Sequence, residues 1–187
     1  MGNQDEEIRP YDGTSRRCYL QELCNKYGDF KVAKAWKDEK TGEIIWAKHR
    51  SVLECWHSEE GLRYLDEVNN RTQLSCEVRI DLDPAKEDTQ EIIDKKFNDI
   101  CHALEDLGLG YAAFKSGGRS YHIHLIFKEM AGDEKKGKEL VRGWLIRKLG
   151  GEMLKISENT MLTLEWAQNN KTGRIKEFVK GDPHVFL

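Results

Sequence analysis

Two aspartates, two residues apart, end an apolar stretch of this chain that reads CEVRIDLD at residues 76–83. A β-strand alternates its side chains between two faces, so Asp81 and Asp83 point the same way, about 7 Å apart along the chain. The alternate positions point to the opposite face, toward a core: Val78, Ile80 and Leu82. Two carboxylates at this spacing are hard oxygen ligands, and they suit one or two divalent metal ions.

A second stretch, SGGRSYHIH at residues 116–124, has the composition of an anion-binding turn that leads into a strand. Its small residues let backbone N–H groups approach an anion, Ser116 adds a hydroxyl, and Arg119 adds positive charge. His122 and His124 share one strand face, where a histidine can donate to a phosphate oxygen or bind metal. Metal beside phosphate is the chemistry of nucleotidyl transfer. Each pattern alone is also typical of an ordinary strand edge, hairpin turn or buried histidine.

The elements that must position these residues follow from periodicity and turn signals. Helices are predicted at 16–27, 58–68, 88–107 and 133–149. Strands are predicted at 29–37, 43–48, 74–83, 111–115, 121–128, 161–167 and 174–179. From residue 74 the order is strand, helix, strand, strand, helix, strand. This order predicts an α+β fold with a mostly antiparallel, RRM-like sheet and two helices on one of its faces.

Three segments are expected along the 187 residues: a polar tail at 1–15, a small N-terminal α/β lobe at 16–73, and a catalytic core at 74–187. No apolar run approaches the ~20 residues of a membrane span, and five scattered cysteines favour a reducing compartment, so a soluble, cytoplasmic protein is expected. Residues 1–110 hold 16 basic and 24 acidic residues, whereas residues 111–187 hold 14 and 9. The basic second part is the one that could face a polyanion.

The order and spacing of the two stretches resemble the archaeo-eukaryotic primase superfamily. That superfamily includes replicative primase catalytic subunits, primase-polymerases and bacterial end-joining polymerases. Residues 80–83, IDLD, match its apolar–apolar–Asp-x-(Asp/Glu) motif, and residues 116–122 match its Ser-Gly turn leading to a strand histidine. Ser120 stands where the family often has glycine. The segment 169–175, NNKTGRI, resembles a Lys-Thr-Gly-containing segment of the family, so the resemblance covers roughly residues 74–175.

This resemblance implies template-directed nucleotidyl transfer by a DNA primase or primase-polymerase domain. Asp81 and Asp83 would hold two Mg²⁺ or Mn²⁺ ions, as catalytic residues. The implied partners are nucleoside triphosphates, a single-stranded DNA template, and an accessory primase subunit or a helicase. The implied nucleotide-binding residues are Ser116, Gly117, Arg119, His122 and Lys171.

The family also has a third carboxylate before the Lys-Thr-Gly segment, and two positions compete for it here. Glu152 lies 19 residues before Lys171, whereas Glu165 lies on the better predicted strand, where alternation would aim it opposite Leu164 and Trp166. We therefore predict Glu165 as the third catalytic and metal-binding carboxylate, with Glu152 as the alternative. Near Thr163 the family often carries an arginine.

Three other interpretations compete with this one. A non-catalytic subunit of the same fold would bind nucleic acid or a partner protein. The His122-Ile123-His124 pattern is similar to rolling-circle replication nucleases, but those need a later nucleophilic tyrosine and no tyrosine follows Tyr121. A zinc site is disfavoured because Cys-x-x-Cys spacing is absent among its candidate ligands: Cys18, Cys24, His49, Cys55 and His57.

Overall fold

The computed structural model describes residues 16–128, 135–150, 157 and 159–186. The predicted polar tail at 1–15 and the alternative ligand Glu152 lie outside the described residues. Within the described part of the chain, no helix combines the length and apolarity needed to cross a membrane.

Five helices and ten strands are defined within the described residues. The helices are α1 (Arg16–Tyr27), α2 (Val52–Trp56), α3 (Glu59–Glu67), α4 (Gln90–Asp106) and α5 (Lys135–Lys148). The strands up to residue 82 are β1 (Lys31–Ala33), β2 (Ala35–Lys37), β3 (Ile44–Trp46), β4 (Arg50–Ser51), β5 (Asn70–Thr72) and β6 (Glu77–Leu82). The later strands are β7 (Tyr111–Lys115), β8 (Tyr121–Ile126), β9 (Met161–Thr163) and β10 (Glu177–Gly181).

Two four-stranded sheets form within the described residues, and we call the one with the longer strands the larger sheet. It has the strand order β10-β7-β8-β6, and every neighbouring pair is antiparallel. One face packs against α4 and α5, where Val78, Ile80 and Ile123 meet Ile93, Phe97 and Ile146 in one apolar core. The alternation of β6 and β8 therefore buries the predicted apolar residues on the helix side. It turns Asp81, His122 and His124 to the other face. The predicted α+β architecture with two helices on one face is confirmed.

A second core forms on that other face of the larger sheet. It joins Ala112 and Phe114 of β7 to Val32 of β1 and to apolar residues of α1, α2 and α3. Val32 belongs to a smaller antiparallel sheet of order β4-β1-β5-β9. Separately, β2 and β3 form a two-stranded hairpin, joined through residues 38–43. The polar side chains of the larger sheet that point away from α4 and α5 are thus enclosed between elements that lie far apart in the sequence.

The strand predicted at 161–167 is the main correction to the expected order of elements. Only residues 161–163 form a strand, and that strand pairs with β5 of the smaller sheet instead of joining the larger one. Glu165 and Trp166 lie in a turn, and Trp166 has a φ of 55°. Leu164, Glu165 and Trp166 are all buried, so the alternation predicted for Glu165 was wrong. Strand β9 also places a late segment in the sheet of the predicted N-terminal lobe, whose boundary at residue 73 stays a prediction.

Candidate active site

The two aspartates and the first strand histidine converge at one end of the larger sheet. In the β6–β8 register Asp81 lies opposite His122, and Asp81 Oδ1 is 4.0 Å from His122 Nε2. Asp81 is buried, whereas Asp83 lies exposed just beyond the end of β6. Both line a cavity of about 440 Å³ that we call the central cavity. Its lining also includes Trp46, Arg79, Ser116, Gly118, Ser120, His122, Thr163, Asn169, Asn170, Lys171 and Thr172.

Arg79 is a member of this site that the sequence reasoning missed. It lies two residues before Asp81 on the same strand face, and its Nε donates to Asp81 Oδ1 while Nη2 donates to Oδ2 at 3.0 Å. Nη2 also lies 2.9 Å from His122 Nδ1. A charged residue within an apolar strand, in phase with Asp81, was the signal that could have found it.

The Ser-Gly turn and the Lys-Thr-Gly segment are bonded to each other at the cavity edge. Asn169 Nδ2 donates to the Ser116 carbonyl at 2.7 Å, and Thr172 Oγ1 donates to the Gly117 carbonyl at 2.9 Å. Asn169 Oδ1 also accepts from the backbone N–H groups of Lys171 and Thr172, which closes the second turn on itself. Two segments over fifty residues apart therefore form one polar wall of the cavity.

Gly117 is needed at this junction for two reasons. Its φ is +79°, a region that residues with a Cβ rarely adopt. A Cβ built on it would also lie 2.8 Å from the Arg174 carbonyl oxygen. The close approach of the two turns thus depends on the absence of a side chain here.

The predicted nucleotide-binding residues do not all reach the cavity. Ser116, His122 and Lys171 line it, and the Ser116 hydroxyl is 2.6 Å from that of Ser120. Gly117 shapes the turn but is not part of the lining. The Arg119 guanidinium points elsewhere: it donates to the carbonyls of Asp88 and Ala85, in the loop that follows β6.

Glu165, the predicted third carboxylate, is fully buried in an ionic network away from the cavity lining. Arg71 donates to both of its oxygens and to both oxygens of Glu77. His124 Nδ1 lies 2.6 Å from Glu77 Oε1, and Lys176 Nζ lies 2.9 Å from His124 Nε2. His124 and Glu165 are therefore not brought together with Asp81 and Asp83. The two histidines also do not share one site, as a rolling-circle nuclease would need.

Burial and the neighbouring charges set the protonation of this network. Burial and, to a lesser extent, the nearby Lys176 lower the pKa of His124 to about 4, although Glu77 and Glu165 oppose the shift. Burial also lowers the pKa of Lys176 to about 7, although Glu165 opposes that shift. Burial alone would raise the pKa of Glu165, but Arg71 and Lys176 outweigh it and hold that pKa at about 2. Two carboxylates thus face the Arg71 guanidinium and the Lys176 amine around a neutral imidazole.

Two groups of the described residues offer ligand atoms to a metal ion. Glu77, His124 and Glu165 offer ligand atoms within 4.8 Å of one another, but Arg71 and Lys176 already supply the positive charge there. Asp81 and Asp83 fit a divalent ion better, because Asp83 is exposed and both line a cavity. Among the zinc candidates considered from the sequence, Cys24 and Cys55 are buried, whereas Cys18 is exposed.

Solved structures share this fold, although their sequences differ widely from this one. The chain matches the polymerase domain of Mycobacterium tuberculosis Ligase D in complex with DNA over 96% of its own length and 86% of that chain, with a TM-score of 0.62 and 13% identity. It matches the AEP domain of the cyanophage S-2L primase-polymerase over 95% of its own length and 97% of that chain, with a TM-score of 0.54 and 13% identity. No protein-family model and no curated protein sequence matches the chain.

These likenesses establish the fold. The chain shares the fold of these two domains, which is the fold that its resemblance to the archaeo-eukaryotic primases implied. Within that fold, the central cavity is where the two aspartates, the strand histidine and the Ser-Gly turn come together.

Proposed function

We propose that this protein is a nucleotidyltransferase that makes or extends nucleic acid strands on a single-stranded template. One observation carries the proposal: Asp81, Asp83, His122, Ser116 and Lys171 line the same cavity. Carboxylates for a divalent cation therefore lie next to donors for a triphosphate. Displacement at a phosphorus atom of a nucleoside triphosphate requires both kinds of group side by side.

Asp81 and Asp83 are the proposed ligands of Mg²⁺ or Mn²⁺. Asp83 projects from the strand end into the cavity region, and the paired negative charges suit hard cations. A divalent ion held there would stabilise charge on the attacking and leaving oxygens of an in-line displacement. Glu165 is assigned to the buried network instead, since its oxygens are already bonded to Arg71 and approached by Lys176.

The triphosphate is proposed to lie along the wall built from the two bonded turns. Ser116 and Ser120 offer hydroxyls, and Lys171 adds a positive charge. Gly118 also lines the cavity, with its N–H donating to Ser116 Oγ at 3.3 Å. His122 can donate a hydrogen bond to a phosphate oxygen from the neighbouring strand. Donors fixed in this way would offset negative charge that develops during transfer.

The β2–β3 hairpin is proposed to contact the template or the incoming base. Trp46 and Ile44 of this hairpin line the central cavity, and Trp46 remains 44% exposed. An exposed indole ring beside a phosphate-binding wall gives a base a surface for stacking. Stacking of this kind holds a base without reading its identity.

Nucleotide incorporation in Mn²⁺ tests the proposal directly. On a primed and an unprimed single-stranded template, we expect Asp81→Asn and Asp83→Asn each to lose at least about a hundredfold in rate, because each removes a cation ligand. Asp99→Asn is the matched control: it removes a surface carboxylate of α4 that pairs with Lys95, and it should keep wild-type activity. Equal incorporation by wild type and Asp81→Asn would refute catalysis at this site.

A non-catalytic binding subunit is the second candidate. Two observations favour it: Arg79 already neutralises Asp81, and Glu165 does not line the cavity. This alternative predicts that no variant or wild-type protein incorporates nucleotide, while binding of single-stranded DNA persists. The same assay, paired with a DNA-binding measurement, therefore separates the two functions.

A further inference from the structure

We propose that the Arg79 guanidinium competes with the divalent cation for Asp81, so that metal binding requires Arg79 to leave that carboxylate. The inference rests on the proposed function, because it concerns the cation that a polymerase site would hold. It assigns Arg79 a positioning role that determines how tightly the site binds metal.

The geometry shows why the two cations compete. Arg79 meets Asp81 as a planar fork, with Nε on one carboxylate oxygen and Nη2 on the other. Both groups are only 3% exposed, so little water screens them. A bidentate guanidinium–carboxylate pair of this kind occupies the oxygens that a metal would need.

The charges lead to the same conclusion. Asp81 and Asp83 together supply two negative charges, and the permanent positive charge of the Arg79 guanidinium offsets one of them. A divalent ion would therefore meet a site of reduced net charge while also facing a cation at close range. Removing the guanidinium charge should raise metal affinity even though it removes a polar contact.

The contacts of Arg79 also show that one hydrogen-bond donor of its guanidinium is not used among the described residues. Nη1 is buried and has no hydrogen-bond partner among the described residues, and Nη2 divides its contacts between Asp81 and His122. An unpaired buried donor is unfavourable. Arg79 also lines the central cavity, where a phosphate oxygen would offer the acceptor that Nη1 lacks. A single movement of the Arg79 side chain would thus release Asp81 to the metal ion and bring Nη1 to a triphosphate oxygen.

The test is a titration with Mn²⁺ alone, followed by the electron paramagnetic resonance signal of free Mn²⁺. We expect Arg79→Met to bind Mn²⁺ at least tenfold more tightly than wild type, and Arg79→Gln to change in the same direction. Arg147→Met removes a positive charge from the exposed face of α5 and should leave the affinity unchanged. Asp83→Asn should weaken binding in every background, which locates the ion at this site.

Wild-type or weaker Mn²⁺ affinity in a folded Arg79 variant would overturn the competition. Thermal denaturation checks folding, and Arg79→Gln replaces Arg79→Met in the comparison if the methionine variant does not fold. No nucleotide is present, so the result is independent of polymerase activity. A tenfold gain in Mn²⁺ affinity without nucleotide incorporation would support the competition and contradict the proposed function. Incorporation by wild type without that gain would contradict the competition alone.

Discussion

At the residue scale, the site depends on polar and charged side chains and on one glycine, which has no side chain. Asp81, Asp83 and His122 owe their convergence to strand alternation and to the β6–β8 register. Gly117 has no side chain, which lets the Ser-Gly turn approach the Arg174 carbonyl. Its role can be measured apart from catalysis.

Gly117→Ala should destabilise the protein by about 2 kcal/mol or more, because a left-handed φ costs about 1–2 kcal/mol for a residue with a Cβ and the new methyl also meets a backbone oxygen. Chemical denaturation measures this loss. Gly118→Ala is the matched control: its φ is not left-handed, and its Cβ would have only the Ser116 hydroxyl within 4 Å, at 3.6 Å. Equal stability of the two variants would show that the turns can separate at little cost.

At the scale of elements, the buried ionic network connects strands of both sheets. Arg71 comes from β5, Glu77 from β6 and His124 from β8, and Glu165 comes from the turn after β9. Buried pairs of this kind add little net stability when complete, but removing one partner leaves an uncompensated charge. Glu165 should therefore act on stability and not on metal binding.

Glu165→Gln should lower the unfolding free energy by about 3 kcal/mol, because Arg71 and Lys176 lose a charged partner. For a chain of this size, that loss corresponds to a fall in Tm of roughly 6–12 °C. Its Mn²⁺ affinity should equal that of wild type. Glu60→Gln breaks the exposed pair with Arg50 and should cost less than about 1 kcal/mol. Unchanged Tm with a tenfold loss of Mn²⁺ affinity would instead make Glu165 the third metal ligand.

At the scale of the whole molecule, the cavity is assembled from both sheets and from the β2–β3 hairpin. Thr163 comes from the smaller sheet, Asp81 and His122 from the larger one, and Trp46 from the hairpin. In the proposed function, a strand bound at the cavity would contact the exposed Trp46 of the hairpin.

Trp46→Ala should weaken binding of single-stranded DNA by about 5- to 150-fold, since stacking on an aromatic ring contributes about 1–3 kcal/mol per base. Fluorescence anisotropy with a labelled oligonucleotide measures the change. Trp144→Ala is the control, because Trp144 is also exposed, at 61%, but lies on α5 against the other face of the larger sheet. Identical affinities for the two variants would exclude the hairpin as the stacking surface.

The local features of the site were predictable because they depend on short-range periodicity. The Asp-x-Asp strand, its apolar opposite face, the Ser-Gly turn and His122 all follow from two-residue alternation and turn composition. The helices of the core followed from apolar spacing in the same way, and the order of elements indicated the fold.

The charge partners were decided only by the tertiary structure. Sequence spacing placed Glu165 on a strand aimed at the site, but the turn at Trp166 directs it to Arg71, 94 residues away. Arg119 was expected at a phosphate and instead bonds the loop after β6. Arg79 was overlooked although it contacts Asp81 directly. Each buried ion takes the partner that best offsets its loss of hydration, and which partners lie within reach depends on how distant segments pack.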